Sequence, residues 1–163
     1  MKPNLILGLG NPLMGDDGIA WHVIERLRID PRMPADTEVL WGGADLLRNS
    51  SHFAGRKRVL VVDAMLDVGE PGRVHLLDHE SVAAEGRQNA HHLSALDAIE
   101  LLRIALPDLR NVQFALAGIA VESARVGEEL SPQLSARLPE ICARILSACQ
   151  QISSVAARRN SPG

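Results

Sequence analysis

The sequence predicts an α/β fold. Helices cover both faces of a mostly parallel, twisted sheet of about five strands, as a three-layer α/β/α sandwich. Three observations carry this. Short apolar runs alternate with segments of helical period along a chain of 163 residues. The run Val59-Leu60-Val61-Val62 is apolar without alternation, as expected of a parallel strand buried on both faces. Gly, Pro and Asn punctuate the junctions, and no internal repeat interrupts the order.

The elements follow in sequence. Leu5 to Leu9 reads as the first strand, and a Gly/Asn/Pro turn follows it. Gly18 to Leu27 reads as a helix, because Ile19, Val23, Ile24 and Leu27 share one face. Val39 to Trp41 is the second strand, followed by Gly42-Gly43 and a short helix from about Ala44 to Arg48. Arg58 to Met65 is the clearest strand. Pro71-Gly72 turns the chain into a fourth, Val74 to Leu77. Residues 81–92 read as a loop, and Leu93 to Leu106 as a helix with Ala95, Ile99, Leu102 and Leu106 on one face, closed by Pro107.

Val112 to Ile119 is the last strand. Ser131 and Pro132 open the final helix as cap and first-turn residue. Leu134, Leu138, Ile141, Ile145 and Cys149 continue at helical spacing, with a kink or break expected at Pro139. Residues 1–152 are expected to form one domain, and 153–163 a flexible tail.

Composition excludes several classes. Aromatic residues are 2% of the chain, with no Tyr, so a base-stacking platform is hard to build. The formal charge of -3, without a basic stripe, argues against nucleic acid and against an electrostatic membrane role. No segment reads as a signal peptide or a membrane span, so a cytoplasmic protein is expected. Cys142 and Cys149 stand seven positions apart on one helix, about 10.5 Å of rise, which is too far for a disulfide. They read as small apolar residues.

Ligands of such sheets bind beyond the carboxyl ends of the strands, where strand order reverses. Three polar places fall just after strands or at a helix start. Asp16 and Asp17 end the glycine-rich loop Gly8 to Gly15. One of them suffices to cap the next helix, which leaves the second carboxylate for another purpose. Asp63 ends the central apolar strand, either as a site residue or as a cap of the next loop. His91-His92 precedes a helix on the same side of the sheet, if the crossovers are right-handed. Two carboxylates and an imidazole suit an open site for zinc, nickel or manganese, with a coordination position left for water or substrate. His22, His52, His75 and His79 read as surface or partly buried residues.

The stretch Gly8-x-Gly10-Asn11-Pro12-Leu13-Met14-Gly15-Asp16-Asp17-Gly18 resembles the N-terminal signature of the hydrogenase maturation endopeptidases. Asp63-Ala64, Pro71-Gly72, Asn89-Ala90-His91-His92-Leu93, Gly118-Ile119 with Glu122-Ser123, and Leu130-Ser131-Pro132 continue the match in order, over roughly residues 4–150. The resemblance implies a phosphorylase/hydrolase-like sandwich and an endopeptidase that trims the C-terminal tail of a hydrogenase large-subunit precursor. It places the metal-contacting and catalytic positions on Asp17, Asp63 and His91, with His92 as the neighbouring alternative. The nickel it implies is carried by the substrate, and zinc or another divalent ion can stand in for it.

One segment departs from the family pattern. Where the family has an acid, Gly-Gly and then Thr or Ser, this chain has Trp41-Gly42-Gly43-Ala44. The resemblance associates this segment with substrate choice, so Gly42 and Gly43 are expected to take part in recognition. No GxSxG elbow is present and neither cysteine lies in a site loop, which argues against a Ser or Cys nucleophile.

Three other readings are weaker. Gly8 to Pro12 also resembles the opening of bacterial peptidyl-tRNA hydrolases, but the Arg-His-Asn stretch and basic face of that family are missing. A nucleotide-binding module would need a third glycine where Leu13 stands and an acid where Trp41 stands. A catalytically silent chaperone of the nickel-bearing precursor would retain the same residues.

Overall fold

A computed structural model describes residues 1–66, 69–78, 93–122, 126–127 and 129–159, with backbone only at 78, 93–94 and 152–159. Strand β1 spans Asn4–Gly8, β2 Thr37–Trp41, β3 Arg58–Leu66, β4 Val74–Asp78 and β5 Gln113–Val121. Helix α1 spans Ile19–Arg28, α2 Leu93–Ala105 and α3 Pro132–Arg159. The sheet order is β2-β1-β3-β5-β4. Its first four strands are parallel, and β4 runs antiparallel along β5. The expected α/β sandwich is therefore the one observed, with β3 at its centre and the strand order reversing between β1 and β3.

Burial follows from the alternation of side chains along each strand. Ile6, Leu60, Val62, Ala117, Ile119 and Val121 face α1 and α3, whose Ile19, Val23, Leu27, Leu134, Leu138, Ile141 and Ile145 complete that layer. Leu5, Leu7, Val59, Val61, Phe114 and Leu116 face α2, where Ala95, Leu96, Ile99 and Leu102 cover them. Both faces of β1 and β3 are thus buried, which is why their sequences are continuously apolar. Among the described residues, no helix is long and apolar enough to cross a membrane.

Several element boundaries differ from expectation. The segment after Gly43 forms a 3-10 turn over Leu47–His52 rather than a helix from Ala44. Asp45 accepts the Leu47 N–H at 2.9 Å, and this side-chain turn delays the start. Leu106 lies beyond the end of α2 and is 39% exposed, so it does not share the buried face. Helix α3 runs through Pro139 without a break and extends past 152, where a boundary was expected. Pro139 removes one backbone bond, but the apolar stripe Leu134, Leu138, Ile141, Cys142 and Ile145 stays packed on both sides of it. At the start of α3, Ser131 Oγ accepts the Leu134 N–H at 3.4 Å, as a capping serine does.

One buried charge ties the amino edge of the sheet together. The Arg56 side chain is 3% exposed and pairs through Nη2 with Glu38 on β2. Its Nη1 donates to the Lys2 carbonyl at 2.6 Å, and its Nε donates to the His52 carbonyl at 3.0 Å. This pairing holds the Glu38 carboxyl below its usual range. Arg56→Met removes three charge-assisted bonds at once, so a loss of about 2–4 kcal/mol is expected. Urea unfolding of the two proteins checks this. An unchanged midpoint would show that the cluster contributes nothing net.

Candidate active site

The loop after β1 is built on close backbone approach. Gly10 has φ +137, and a Cβ placed on it would lie 2.4 Å from the Asp17 carbonyl oxygen. No other residue type fits there. A Cβ on Gly18 would lie 2.7 Å from Pro12 Cα, so the far end of the loop is equally tight. The chain between these glycines folds into a 3-10 turn, Gly15–Gly18, which packs on β3.

The two carboxylates of this turn have separate tasks, and neither caps α1, whose N-cap is Gly18 with no side-chain bond. Asp16 Oδ1 accepts the Ser131 N–H at 2.7 Å, joining the loop to the entrance of α3. Asp17 Oδ2 accepts the Asn11 N–H at 3.1 Å. Asn11 Oδ1 in turn accepts the Leu13 N–H at 3.0 Å. Two further bonds, Gly15 N–H to the Gly127 carbonyl at 2.6 Å and Gly127 N–H to the Leu13 carbonyl at 2.9 Å, clamp the loop from outside.

Asp63 lies near the carboxyl end of β3. It sits one residue past Val62, which pairs with Gly8 at the end of β1. The Leu9 N–H continues that pairing to the Val62 carbonyl at 2.8 Å. Alternation puts Asp63 on the same face as Val59 and Val61, the α2 side of the sheet. Asp63 Oδ1 accepts the Ala64 N–H at 2.8 Å. Burial pushes its pKa from 3.8 to about 6. The Ala64 bond opposes the rise, and the negative charge of Asp17 adds to it. Asp63 thus lies by the point where strand order reverses, within reach of the Asp17 charge.

His91 and His92 lie outside the described residues. Leu93, two positions after His91, opens α2. That helix leads into β5 through a short connection at the amino edge of the sheet. Its 13 residues span about 20 Å, which directs its first turn back toward the carboxyl edge. Among the described residues no cluster of three or more His, Cys, Asp or Glu side chains is gathered to hold a metal. The expected set is represented by its two acids.

The Gly42-Gly43 segment borders the same loop. The Gly42 N–H donates to the Gly8 carbonyl at 2.9 Å, and the Gly10 N–H to the Gly43 carbonyl at 3.0 Å. Gly43 has φ +73, and a Cβ there would meet nothing within 4 Å, so the space beside it is open. The segment is held by Asn49, a buried residue that sequence reasoning missed. Its Nδ2 donates to the Gly42 carbonyl at 2.9 Å and the Asp45 carbonyl at 2.8 Å. Trp41 stacks edge-on with Trp21, ring centroids 5.3 Å apart. It lies against Gly8, where a Cβ would fall 3.1 Å from its ring.

The remaining candidates are not brought into this place. Cys142 and Cys149 are buried and unpaired as disulfides, and burial raises the Cys142 thiol to about 11, which keeps it protonated and inert. His22 lies within α1, His52 ends an exposed turn, and His79 is outside the described residues. His75 pairs in register with Gly118, the residue opposite Asp63, and its Nε2 is buried with no hydrogen-bond partner among the described residues. Nothing in a five-residue strand marks such a position in the sequence.

Comparison with known proteins agrees with this architecture. The family model described as hydrogenase maturation protease matches residues 21–148, a span that begins just after the opening loop. The hydrogenase 2 maturation protease of Escherichia coli is 26% identical over 150 residues, covering 90% of each chain. The protein FrxA of Pyrococcus furiosus is 29% identical, covering 82% of this chain and 96% of its own. Among solved structures, the NiFe hydrogenase maturation protease HybD from Thermococcus kodakarensis superimposes with a TM-score of 0.73 at 28% identity, over 90% of this chain and 98% of that one. The maturating endopeptidase HybD of E. coli gives the same TM-score at 26% identity, over 91% and 92% of the two chains. The matched span exceeds half of the chain, and the chain belongs to the hydrogenase maturation protease family.

Proposed function

We propose that this chain is an endopeptidase that removes the C-terminal extension of a nickel-loaded hydrogenase large-subunit precursor, with Asp17, Asp63 and His91 as its metal-contacting residues. The observation that carries the reading is the family match over residues 21–148, and the buried Asp63 carboxylate at the strand-order reversal supports the choice of site. Two acids held at a strand-order reversal form a place that a cation would relieve. Oxygen donors with one imidazole suit nickel, and zinc or another divalent ion in its stead. The nickel belongs to the precursor and enters with it.

A metal held there supplies charge that polarises the scissile carbonyl or acidifies a bound water. This chain's own part is to hold the acids. Asp17 is fixed by the Asn11 N–H and Asp63 by the Ala64 N–H. With a pKa near neutrality, Asp63 is also suited to take a proton from an attacking water. The open space beside Gly43 gives the substrate an approach on the side of β2.

Asp17→Asn, Asp63→Asn and His91→Gln are each expected to reduce processing by at least about a hundredfold, the scale of lost general-base or metal-ligand function. Circular dichroism should show an unchanged fold. A gel-shift assay on nickel-loaded and nickel-free precursor reads the outcome. Wild-type levels of cleavage by any one variant remove that residue from the site. Tight binding of the loaded precursor without cleavage by the wild type would instead make the chain a chaperone.

The same carboxylate sets a pH dependence of stability in the metal-free protein. Between 3.8 and about 6 the folded chain keeps a proton on Asp63 that the unfolded chain has released. Stability from this group therefore falls as pH rises through that window, and the full cost is present above it. The separation corresponds to roughly 3 kcal/mol at most. Asp63→Asn, uncharged and still able to accept the Ala64 N–H, should unfold at a higher urea concentration than wild type at pH 7.5. The gain should vanish near pH 3.5. A gain that persists at pH 3.5 would show that burial of charge is not its source.

A further inference from the structure

Strand β4 carries a second titratable side chain into the row of Asp63. Asp63 pairs with Gly118 on β5, and Gly118 pairs with His75 on β4. Residues level with one another across a sheet project from the same face. The neighbours of His75 agree: Leu77 packs in the α2 layer and Val74 in the opposite one. His75 therefore stands on the α2 face with Asp63, two strands or about 10 Å away. Gly118 keeps the row low between them. A Cβ placed on it would overlap the Met65 sulfur, so the end of Met65 lies over the glycine. What separates the carboxylate from the imidazole is thus an unbranched thioether side chain that several bonds can turn.

The His75 ring is partly buried, and its Nε2 is fully so, with no hydrogen-bond partner among the described residues. The acids of this edge are each held by a backbone N–H: Asp16 by Ser131, Asp17 by Asn11 and Asp63 by Ala64. A buried ring nitrogen left unpaired costs stability, and an apolar residue would fill the place without that cost. The rest of the segment, Val74, Leu76 and Leu77, is apolar, so the strand pattern does not call for an imidazole here. A partner that arrives with a ligand removes the cost. Asp17, Asp63 and His75 are not gathered as a cluster that could hold a metal, which points to a ligand other than the ion itself.

A chain cut beside Asp63 has peptide groups on either side of the cut bond. Seated on the sheet they lose water and need partners. From Asp63 toward β4, the first polar side chain on this face is His75, because the position between is a glycine. We propose that His75 Nε2 hydrogen-bonds a peptide group of the bound precursor next to the cut bond, with Met65 turning aside to admit it. A neutral imidazole serves either a peptide carbonyl or a peptide N–H, according to its tautomer. His75 is then a substrate-binding residue beside Asp63 and not a metal ligand. This rests on the reading of the protein as a tail-cutting endopeptidase, and its test separates the two.

Wild type is compared with His75→Leu and His75→Gln on the nickel-loaded precursor. Leu removes the nitrogen, and Gln puts an amide near the place of Nε2. His75→Leu is expected to raise KM about fivefold to tenfold, the scale of one lost hydrogen bond, with kcat within about threefold. It should unfold at a urea concentration no lower than wild type, because an unpaired buried nitrogen has been replaced by carbon. His75→Gln should recover most of the loss in KM. Isothermal titration of Ni2+ into wild type and His75→Leu should give the same curve. An unchanged KM in His75→Leu, a loss that Gln does not recover, earlier unfolding, or weaker Ni2+ binding would each overturn the contact. If wild type cleaves no loaded precursor, the endopeptidase reading fails. Binding of that precursor, read by surface plasmon resonance, still decides His75: weaker binding by His75→Leu with recovery in His75→Gln supports it, and equal binding removes it.

Discussion

The arrangement depends on one contact, the backbone of Gly10 lying against the backbone of Asp17. A single methyl group at Gly10 would fall 2.4 Å from the Asp17 carbonyl. Because nothing but hydrogen occupies that place, the loop can leave β1, turn, and return to β3 within a few residues. Asp16 and Asp17 arrive on opposite duties as a result. Asp16 reaches the start of α3 through Ser131, and Asp17 stays at the carboxyl edge. One carboxylate locks the loop to a distant helix, so the other keeps its place beside Asp63 without having to serve as a cap.

On the proposed reading, Asp63 carries a conflict between stability and a working site. Its strand is apolar on both faces because β3 is the centre of a parallel sheet. A carboxylate at the end of such a strand is desolvated by the same packing that holds the strand. Its rise to about 6 measures that conflict. The protein retains a costly charge where an amide would sit more comfortably. Such retention at a strand-order reversal is the pattern expected of a functional acid rather than a structural one.

Much of this was legible in the sequence. The unbroken run Val59 to Val62 announced a strand buried on both faces, and the acid ending it marked the edge where ligands gather. The glycines of the first loop signalled a tight return. Other features were not legible, for physical reasons. The bond from Asp16 to Ser131 joins positions 115 apart, and no local pattern encodes it. Asn49 reads as one polar residue in a polar stretch, yet it is buried and holds Gly42 in place. Pro139 signalled a kink or a break, and the helix does not break there because the apolar stripe stays packed on both sides of it. The turn at Leu47 begins late because the Asp45 side chain captures a backbone N–H. Asp63 could be located from sequence because its strand end is readable, and Asp17 because glycines and a helix frame its loop; His91, the third expected ligand, lies outside the described residues.

On the proposed reading, charge alone makes the site selective for a loaded precursor. Burial desolvates the Asp63 carboxylate, and the charge of Asp17 adds a smaller effect, so a cation placed beside Asp63 gains from relieving that cost. A precursor that brings no metal offers no such gain, and its tail competes for the site with only the weak contacts of an extended peptide. The metal-bearing precursor supplies the cation that the acids lack. Discrimination of this kind needs no shape difference between loaded and empty precursors, since the energy that separates them is already stored in the enzyme. That is also why the acids must be held rigidly. If the loop could relax, Asp17 would no longer be fixed by the Asn11 N–H, and the ligand set offered to the cation would be lost.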